Sequence, residues 1–299
     1  MKRLLTTIFG LLLGSLFLPW NAPARDLQDI RQEGVLRHLG VPYANFVNGP
    51  DVGLDVELIR LFAKAIGVRY EYVPTTWKTV VGDLTGRQMT VDGDQVTITG
   101  TVPIRGDVIA NGLTILPWRQ KVLDYSHPTF PTQVWLVAGS QSALKPIDPS
   151  GDLPTDITRV KALLSGKTVL GIAGTCLDPK LYHLDAAQAD SRLFKGNLNE
   201  LAPAVLNGEA ETTLLDVADS LVALAKWPGQ VKILGPISEP QEMAVGFRKE
   251  SPELQRAFAM FFRTITEDGT YIDLVKKYYP DVFSYYPDFF TGKNMTRPR

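Results

Sequence analysis

From residue 34 onward the chain repeats one alternation, a short apolar run followed by an amphipathic segment and then another apolar run. Gly34-Val35-Leu36-Arg37-His38-Leu39-Gly40 reads as a strand leading into a loop that carries Tyr43 and Phe46. In the following GLDVELIRLFAKAIG, the residues Leu58, Leu61, Phe62, Ala65 and Ile66 fall on one face of a helix. Asp55 and Glu57 suit its positive N-terminal end, and Gly67 is a natural stop. Residues 68–73 form a second strand and 77–84 a short helix. A strand–helix–strand–helix order is the pattern of a parallel sheet covered by helices.

The order is interrupted once and then restarts. Residues 139–160 form a connection rich in Pro, Ser, Gly and Asp, after which 167–173 is a strand, broken by Gly174-Thr175-Cys176 and followed by a helix. Residues 199–206 are helical, 212–215 is a strand ending at Asp216, and 231–234 and 244–247 are further strands. Ser251-Pro252-Glu253 opens a helix with Ser as cap and Pro at the first position, Gly269 ends it, and Thr270 and Asp273 are spaced as a capping box for another. With 299 residues the chain exceeds what one core holds, since single cores stop growing near roughly 250–300 residues. The expectation is an α/β protein of two lobes.

One segment departs from the alternation. In residues 87–105, Met89-Thr90-Val91 and Val96-Thr97-Ile98 alternate about Asp92-Gly93-Asp94, a hairpin pattern. It joins a helix end to a strand start, a junction that lies opposite the ligand edge of a parallel sheet. The hairpin is therefore expected to be a decoration or a partner contact and not a ligand clamp.

Composition removes several classes of function. The formal charge of −1 and the absence of a basic stripe with interleaved aromatics argue against nucleic acid. His38, His127 and His183 lack ligand spacing, so no metal or other cofactor is expected. Cys176 is the single cysteine, which excludes an internal disulfide and reads best as a small buried side chain. Lys2 and Arg3, an apolar run over 4–18 and Ala22-Pro23-Ala24 make residues 1–24 read as a cleavable export signal without a lipid anchor. No other segment is long and apolar enough to span a bilayer.

The candidate site lies in residues 107–126, DVIANGLTILPWRQKVLDYS. A buried strand at Val108-Ile109-Ala110 breaks at Asn111-Gly112, Thr114 follows, and Arg119 comes five residues later. A strand end that offers amides, a hydroxyl and a guanidinium within one loop suits a ligand carboxylate. Sites in open α/β sheets lie at such carboxyl ends. Alone, an Arg after a strand is equally a solvated surface charge.

These stretches, with GKTVLGIAGTC, LNGEAETTLLD, AVGFRKESPELQRAF and EDGTYIDLVKKYYP in the same order, resemble the periplasmic solute-binding proteins of the polar amino acid type, extracellular solute-binding family 3. The resemblance implies a type II periplasmic-binding fold, with two α/β lobes joined by two crossover strands near 129–134 and 240–243. Lobe 1 would comprise 25–131 plus 242–299, and lobe 2 would comprise 132–241. It implies that Arg119 clamps the carboxylate of an amino acid, with Asn111, Gly112 and Thr114 supplying amides and hydroxyls. Thr175 and Cys176 would present backbone N–H groups from a helix start in the opposite lobe. Asp216 would pair with the ammonium, and Tyr43 and Trp77 would sandwich the side chain. A periplasmic monomer that delivers its small-molecule ligand to a membrane permease complex follows from the same resemblance.

Two positions depart from the lysine/arginine-binding pattern. Gly40 stands where those proteins place an aspartate, and Leu177 replaces a polar residue, both of which lean toward a neutral ligand. Read without the resemblance, Tyr43 and Trp77 are core aromatics, Asp216 is a helix cap and Thr175 closes a turn. Two other functions share the scaffold. One is a dehydratase acting on prephenate or arogenate, for which Glu200, Glu209 and Glu242 are the acids nearest the relevant segments. The other is a sensory or regulatory module that docks to an envelope partner through the hairpin and the aromatic tail.

Overall fold

The computed structural model describes residues 25–291; the expected export signal at 1–24 and the last residues of the tail lie outside the described residues. β1 (Val35–Gly40) and β2 (Arg69–Pro74) run parallel, with the helix Leu54–Ala65 between them in sequence. The helix Val80–Thr85 leads into β3 (Arg87–Asp92) and β4 (Gln95–Thr101), an antiparallel hairpin, and the chain rejoins the sheet as β5 (Val108–Ile109) beside β1. The short helix Pro117–Gln120, β6 (Leu123–Tyr125) and β7 (Phe130–Thr132) lead to β8 (Val134–Gly139), the first strand of the second sheet. That sheet is completed by β9 (Thr168–Gly171), β10 (Asp190–Leu193), β11 (Thr212–Asp216) and β12 (Val231–Pro236). Return is through β13 (Gln241–Met243) to β14 (Gly246–Arg248) and the C-terminal helices.

The strands form two sheets, ordered β2-β1-β5-β14-β6 and β10-β9-β11-β8-β12. β7 and β13 pair antiparallel as a two-stranded ribbon where the chain crosses between the lobes, with Phe130 opposite Met243. This is the two-lobed α/β architecture with two crossover strands. Parallel pairing holds at β1–β2, β1–β5, β9–β10 and β9–β11, whereas β8 and β14 run against their neighbours. Every residue of β11 is buried, as expected for a run covered by helices on both faces.

Four local expectations give way to packing. In the helix Leu54–Ala65 the buried face holds Leu58, Ile59, Phe62 and Ala63, while Leu61 is half-buried and Ala65 exposed. The stripe turns because a second layer covers this helix, with Phe258 meeting Phe62 at 5.1 Å between ring centres. No helix starts at Gly174-Thr175-Cys176; the chain makes a turn and one 3-10 turn at Pro179–Tyr182. A helix there would need the N–H of residue 179 for the Thr175 carbonyl, and Pro179 has none. Asp178 takes over, accepting from Gly174 N at 3.2 Å and from Lys180 N at 3.0 Å.

Ser251 does not cap its helix. Its hydroxyl donates to the Arg25 carbonyl, and the Asp26 carboxylate accepts from Glu253 N and Leu254 N instead. Gly269, not Thr270, is the cap of the helix Thr270–Tyr278. β10 has no counterpart in the sequence reading, because all four of its residues are exposed and carry no apolar signal. Among the described residues no helix is long and apolar enough to cross a membrane.

Candidate functional site

The end of β5 is braced from three sides. His38 Nε2 donates to the Ala110 carbonyl at 2.8 Å, so Nδ1 accepts from the Tyr70 hydroxyl at 2.9 Å. Asn111 Oδ1 accepts from Val41 N at 3.1 Å, and Asp55 Oδ2 accepts from Gly112 N at 2.7 Å. Gly112 has φ of 60°, and a Cβ there would lie 2.5 Å from the Phe46 ring, so only glycine fits. Burial lowers the His38 pKa to about 4 and raises that of Asp55 to about 7.

Beyond this braced end the chain places Arg119, which is only 2% exposed. Its guanidinium donates to the Thr114 carbonyl at 2.9 Å and, from the other lobe, to the Gly174 carbonyl at 3.2 Å. Its central carbon lies 5.2 Å from the Trp118 ring centre and 5.7 Å from that of Trp77. Nε has no partner, and no carboxylate pairs with this cation among the described residues. Desolvation accordingly lowers its pKa. A buried cation without a counter-ion is costly.

The second lobe presents the complementary imbalance. Asp216 caps the helix Val217–Lys226 through Asp219 N at 3.1 Å, and its other oxygen accepts from the Tyr43 hydroxyl across the lobes. Asp219 lies one turn on, with Oδ2 unpartnered. Burial raises both carboxyls above the ordinary range, and the charge of Asp216 raises Asp219 further. Cys176 Sγ lies 3.8 Å from Asp216 Oδ2, and burial holds this thiol neutral with a raised pKa.

Next to Arg119 a cleft of about 580 Å³ opens between the lobes. Lobe 1 lines it with Val41, Trp77 and Trp118, and lobe 2 with Ile172, Gly174 and Phe194. The lobes also touch at Ala44 N, which donates to Asn199 Oδ1 at 2.8 Å. Met89, Thr90 and Val91 of the hairpin line the same cleft, and Lys180 of lobe 2 pairs with Asp92 at its tip. The expectation that the hairpin lies away from the ligand edge is therefore corrected. Its base pairs with Glu250 of lobe 1 through Arg87, whereas residues 89–91 line the cleft and Asp92 reaches lobe 2.

The sequence profile of the bacterial extracellular solute-binding proteins, family 3, matches residues 103–281. The chain belongs to that family. Among solved structures, holo ArgBP from T. maritima superposes with a TM-score of 0.63 at 22% identity, covering 84% of this chain and 99% of that one. The ancestral amino acid-binding protein AncCDT-1, a precursor of cyclohexadienyl dehydratase, gives a TM-score of 0.66 at 24% identity, covering 85% and 99%. The chain is also similar to membrane-bound lytic murein transglycosylase F of Desulfosudis oleivorans, 25% identical over 277 residues, 90% of this chain and 54% of that protein. The homologue from Photobacterium profundum is 26% identical over 273 residues, covering 87% and 46%. The chain spans about half the length of these curated relatives.

The residues singled out in the sequence fall into four groups. Arg119, Trp77, Thr114, Cys176 and Asp216 lie on or directly behind the interlobe surface, as described. Asn111 Oδ1 and Gly112 N are engaged by Val41 N and Asp55, which holds the loop, while Asn111 Nδ2 is buried without a partner. Thr175 closes a turn, donating to the Ile172 carbonyl at 2.8 Å and accepting from Leu177 N at 3.0 Å. Tyr43 and Trp77 meet edge to face at 5.6 Å, which leaves no gap for a side chain between them. Trp118, unremarked in the sequence beside Arg119, is a further aromatic of the cleft beside Trp77 and Phe194.

The structure also bears on the two departures and the candidate acids. A Cβ at Gly40 would lie 1.9 Å from the Tyr72 ring, so the ring fills the place an acidic side chain would take. Leu177 is fully buried inside lobe 2 and does not line the cleft. Glu200 accepts from Asn197 N as a turn cap, Glu209 is exposed, and Glu242 sits on β13, so none of the three lines the cleft. Among the described residues no group of three His, Cys, Asp or Glu side chains could hold a metal ion.

Proposed function

We propose that the protein captures an amino acid or similar small zwitterion between its lobes and delivers it to a membrane permease of the envelope. One observation carries this reading. Among the described residues, a buried cation without a carboxylate partner, Arg119, and a buried acid without a cationic partner, Asp216, approach each other from opposite lobes through Thr114 and Cys176. A zwitterion supplies the missing charge at each end. Its carboxylate would take the free Nε edge of Arg119, and its ammonium would replace the Tyr43 hydroxyl on Asp216. Hinge motion about the β7–β13 ribbon would admit and enclose it.

A thermal-shift screen of amino acids followed by calorimetry tests the proposal. A ligand at a hundredfold excess over its dissociation constant adds about 2.7 kcal/mol of stability. Arg119→Ala and Asp216→Asn should each weaken its binding by about 2–5 kcal/mol, because each strips a desolvated pair of one partner. Unchanged affinity in both variants would remove this site from consideration.

A second partner is favoured by the transglycosylase relatives, whose chains are about twice as long. In this reading the same capture event is read by an exported enzyme instead of a permease. Pull-down from an envelope extract, with and without residues 87–105, separates the two: a permease subunit supports delivery, and a hydrolytic or lytic enzyme supports regulation.

A further inference from the structure

We propose that the hairpin formed by β3 and β4 is the outer wall of the ligand cleft and selects zwitterions that carry a large apolar group. The inference rests on the zwitterion reading of the same site.

The argument begins with the dimensions of the cleft. At about 580 Å³ it falls within the roughly 300–1,000 Å³ typical of sites for drug-sized ligands, more room than the charged ends of an amino acid need. Trp77, Trp118 and Gly174, which all touch Arg119, line one part of the cleft, and the hairpin lines another. There the facing walls are apolar on both lobes. Met89 and Val91 come from the hairpin, and Leu193 and Phe194 come from the edge of the second sheet.

Leu193 is 53% exposed, and Met89, Val91 and Phe194 are half-buried. Apolar side chains that face each other across a cleft while retaining contact with water gain burial when an apolar group enters. That gain is about 25 cal/mol per Å² of apolar surface covered. The place where an acidic residue would select a cationic side chain is filled by the Tyr72 ring against Gly40.

The hairpin is also fixed to both lobes at its tip. Lys180 of lobe 2 pairs with Asp92, and a Cβ at Gly93 would lie 3.8 Å from the Lys180 Cβ, so backbone and turn approach closely. From lobe 1, Lys121 Nζ donates to the Asp94 carbonyl at 3.1 Å. Alternation along β3 turns Met89 and Val91 to the same side, the half-buried one. The wall is therefore positioned when the lobes meet. Lys78 and Lys195 stand exposed at the rim and would draw an anionic side chain, and Thr76, Thr90 and Asn197 add neutral polar groups to the lining.

Calorimetry with glycine, alanine, leucine, phenylalanine, tryptophan and glutamate as probes tests the inference on the full chain. Phenylalanine or tryptophan should bind about tenfold or more tightly than alanine, since a single methylene in an apolar pocket already discriminates by about tenfold. The double variant M89A/V91A should lose at least about threefold in affinity for phenylalanine and keep its affinity for alanine. A chain in which residues 88–100 are replaced by Gly-Gly should lose the preference altogether. Its far-ultraviolet circular dichroism and melting temperature check that it folds, and M89A/V91A carries the test if it does not.

Equal affinity for alanine and phenylalanine, tightest binding of glutamate, or an unchanged phenylalanine affinity in M89A/V91A would overturn the role of the hairpin and leave the zwitterion site standing. Failure of every probe to bind would overturn both.

Discussion

His38 and Asp55 brace the same strand end, and their ionisation pulls in opposite directions. The folded-state pKa of His38, about 4, lies below its ordinary 6.5, so the unfolded chain binds more protons in between. Its contribution is complete above pH 6.5 and is lost as pH falls toward 4. The folded-state pKa of Asp55, about 7, lies above its ordinary 3.8. Its contribution is complete below pH 3.8 and is lost as pH rises through 7. Between pH 4.5 and 6.5 the two slopes offset each other in the parent chain.

Single variants should expose them. Relative to the parent, Asp55→Asn should lose about 2–3 kcal/mol on acidification from pH 6.5 to 4.5, and His38→Gln should gain a similar amount. Urea denaturation at the two pH values measures both. Parallel pH profiles for parent and variants would contradict the burial-driven shifts. At this scale sequence was a partial guide. It flagged Asn111 and Gly112 because a strand breaks there, but it could not tell a ligand contact from a brace. The partners that make the brace, Val41 and Asp55, are distant in sequence.

Helix ends show how a single residue can serve two elements. Asp26 caps the helix Leu27–Glu33 and also accepts from Glu253 N and Leu254 N at the start of the helix Pro252–Glu267. Asp26→Ala should therefore cost more than an ordinary cap, about 2 kcal/mol or above where one cap is worth about 1 kcal/mol. Chemical denaturation gives the figure, and a loss within about 0.5 kcal/mol would show that Ser251 can take over. Elements were legible where periodicity spoke. The helix Leu54–Ala65 and the β3–β4 hairpin are read from spacing of 3.6 and 2. β10 was not legible, because an exposed edge strand leaves no apolar pattern. The 174–178 turn departs from the expected helix start because Pro179 lacks the N–H that a helix there would need.

For the whole molecule, the charge arrangement makes binding sensitive to pH. Asp216 and Asp219 sit together in a buried place with raised pKa values, and an incoming ammonium favours their ionised form. Capture should release a proton from this pair. Affinity should weaken as pH falls below their raised pKa, by up to about tenfold per unit. Calorimetry in buffers of different ionisation enthalpy reads the proton directly, and a binding enthalpy independent of buffer would contradict this linkage. Of the proposed site, Arg119 and Asp216 were legible, the one in the short helix Pro117–Gln120 after β5 and the other at the end of β11. Trp118, Asp219 and the hairpin wall were not, because their place depends on how the two lobes meet.

The position of β14 has a consequence for biogenesis. It lies between β5 and β6 and runs against both, although about 120 residues of the other lobe separate it from them in sequence. A growing polypeptide that has emerged only to residue 240 holds every strand of the second sheet, while the first sheet still has an open slot. The late-made half can thus mature before the early-made half, and a stalled chain would present two unpaired strand edges to any chaperone waiting at the exit.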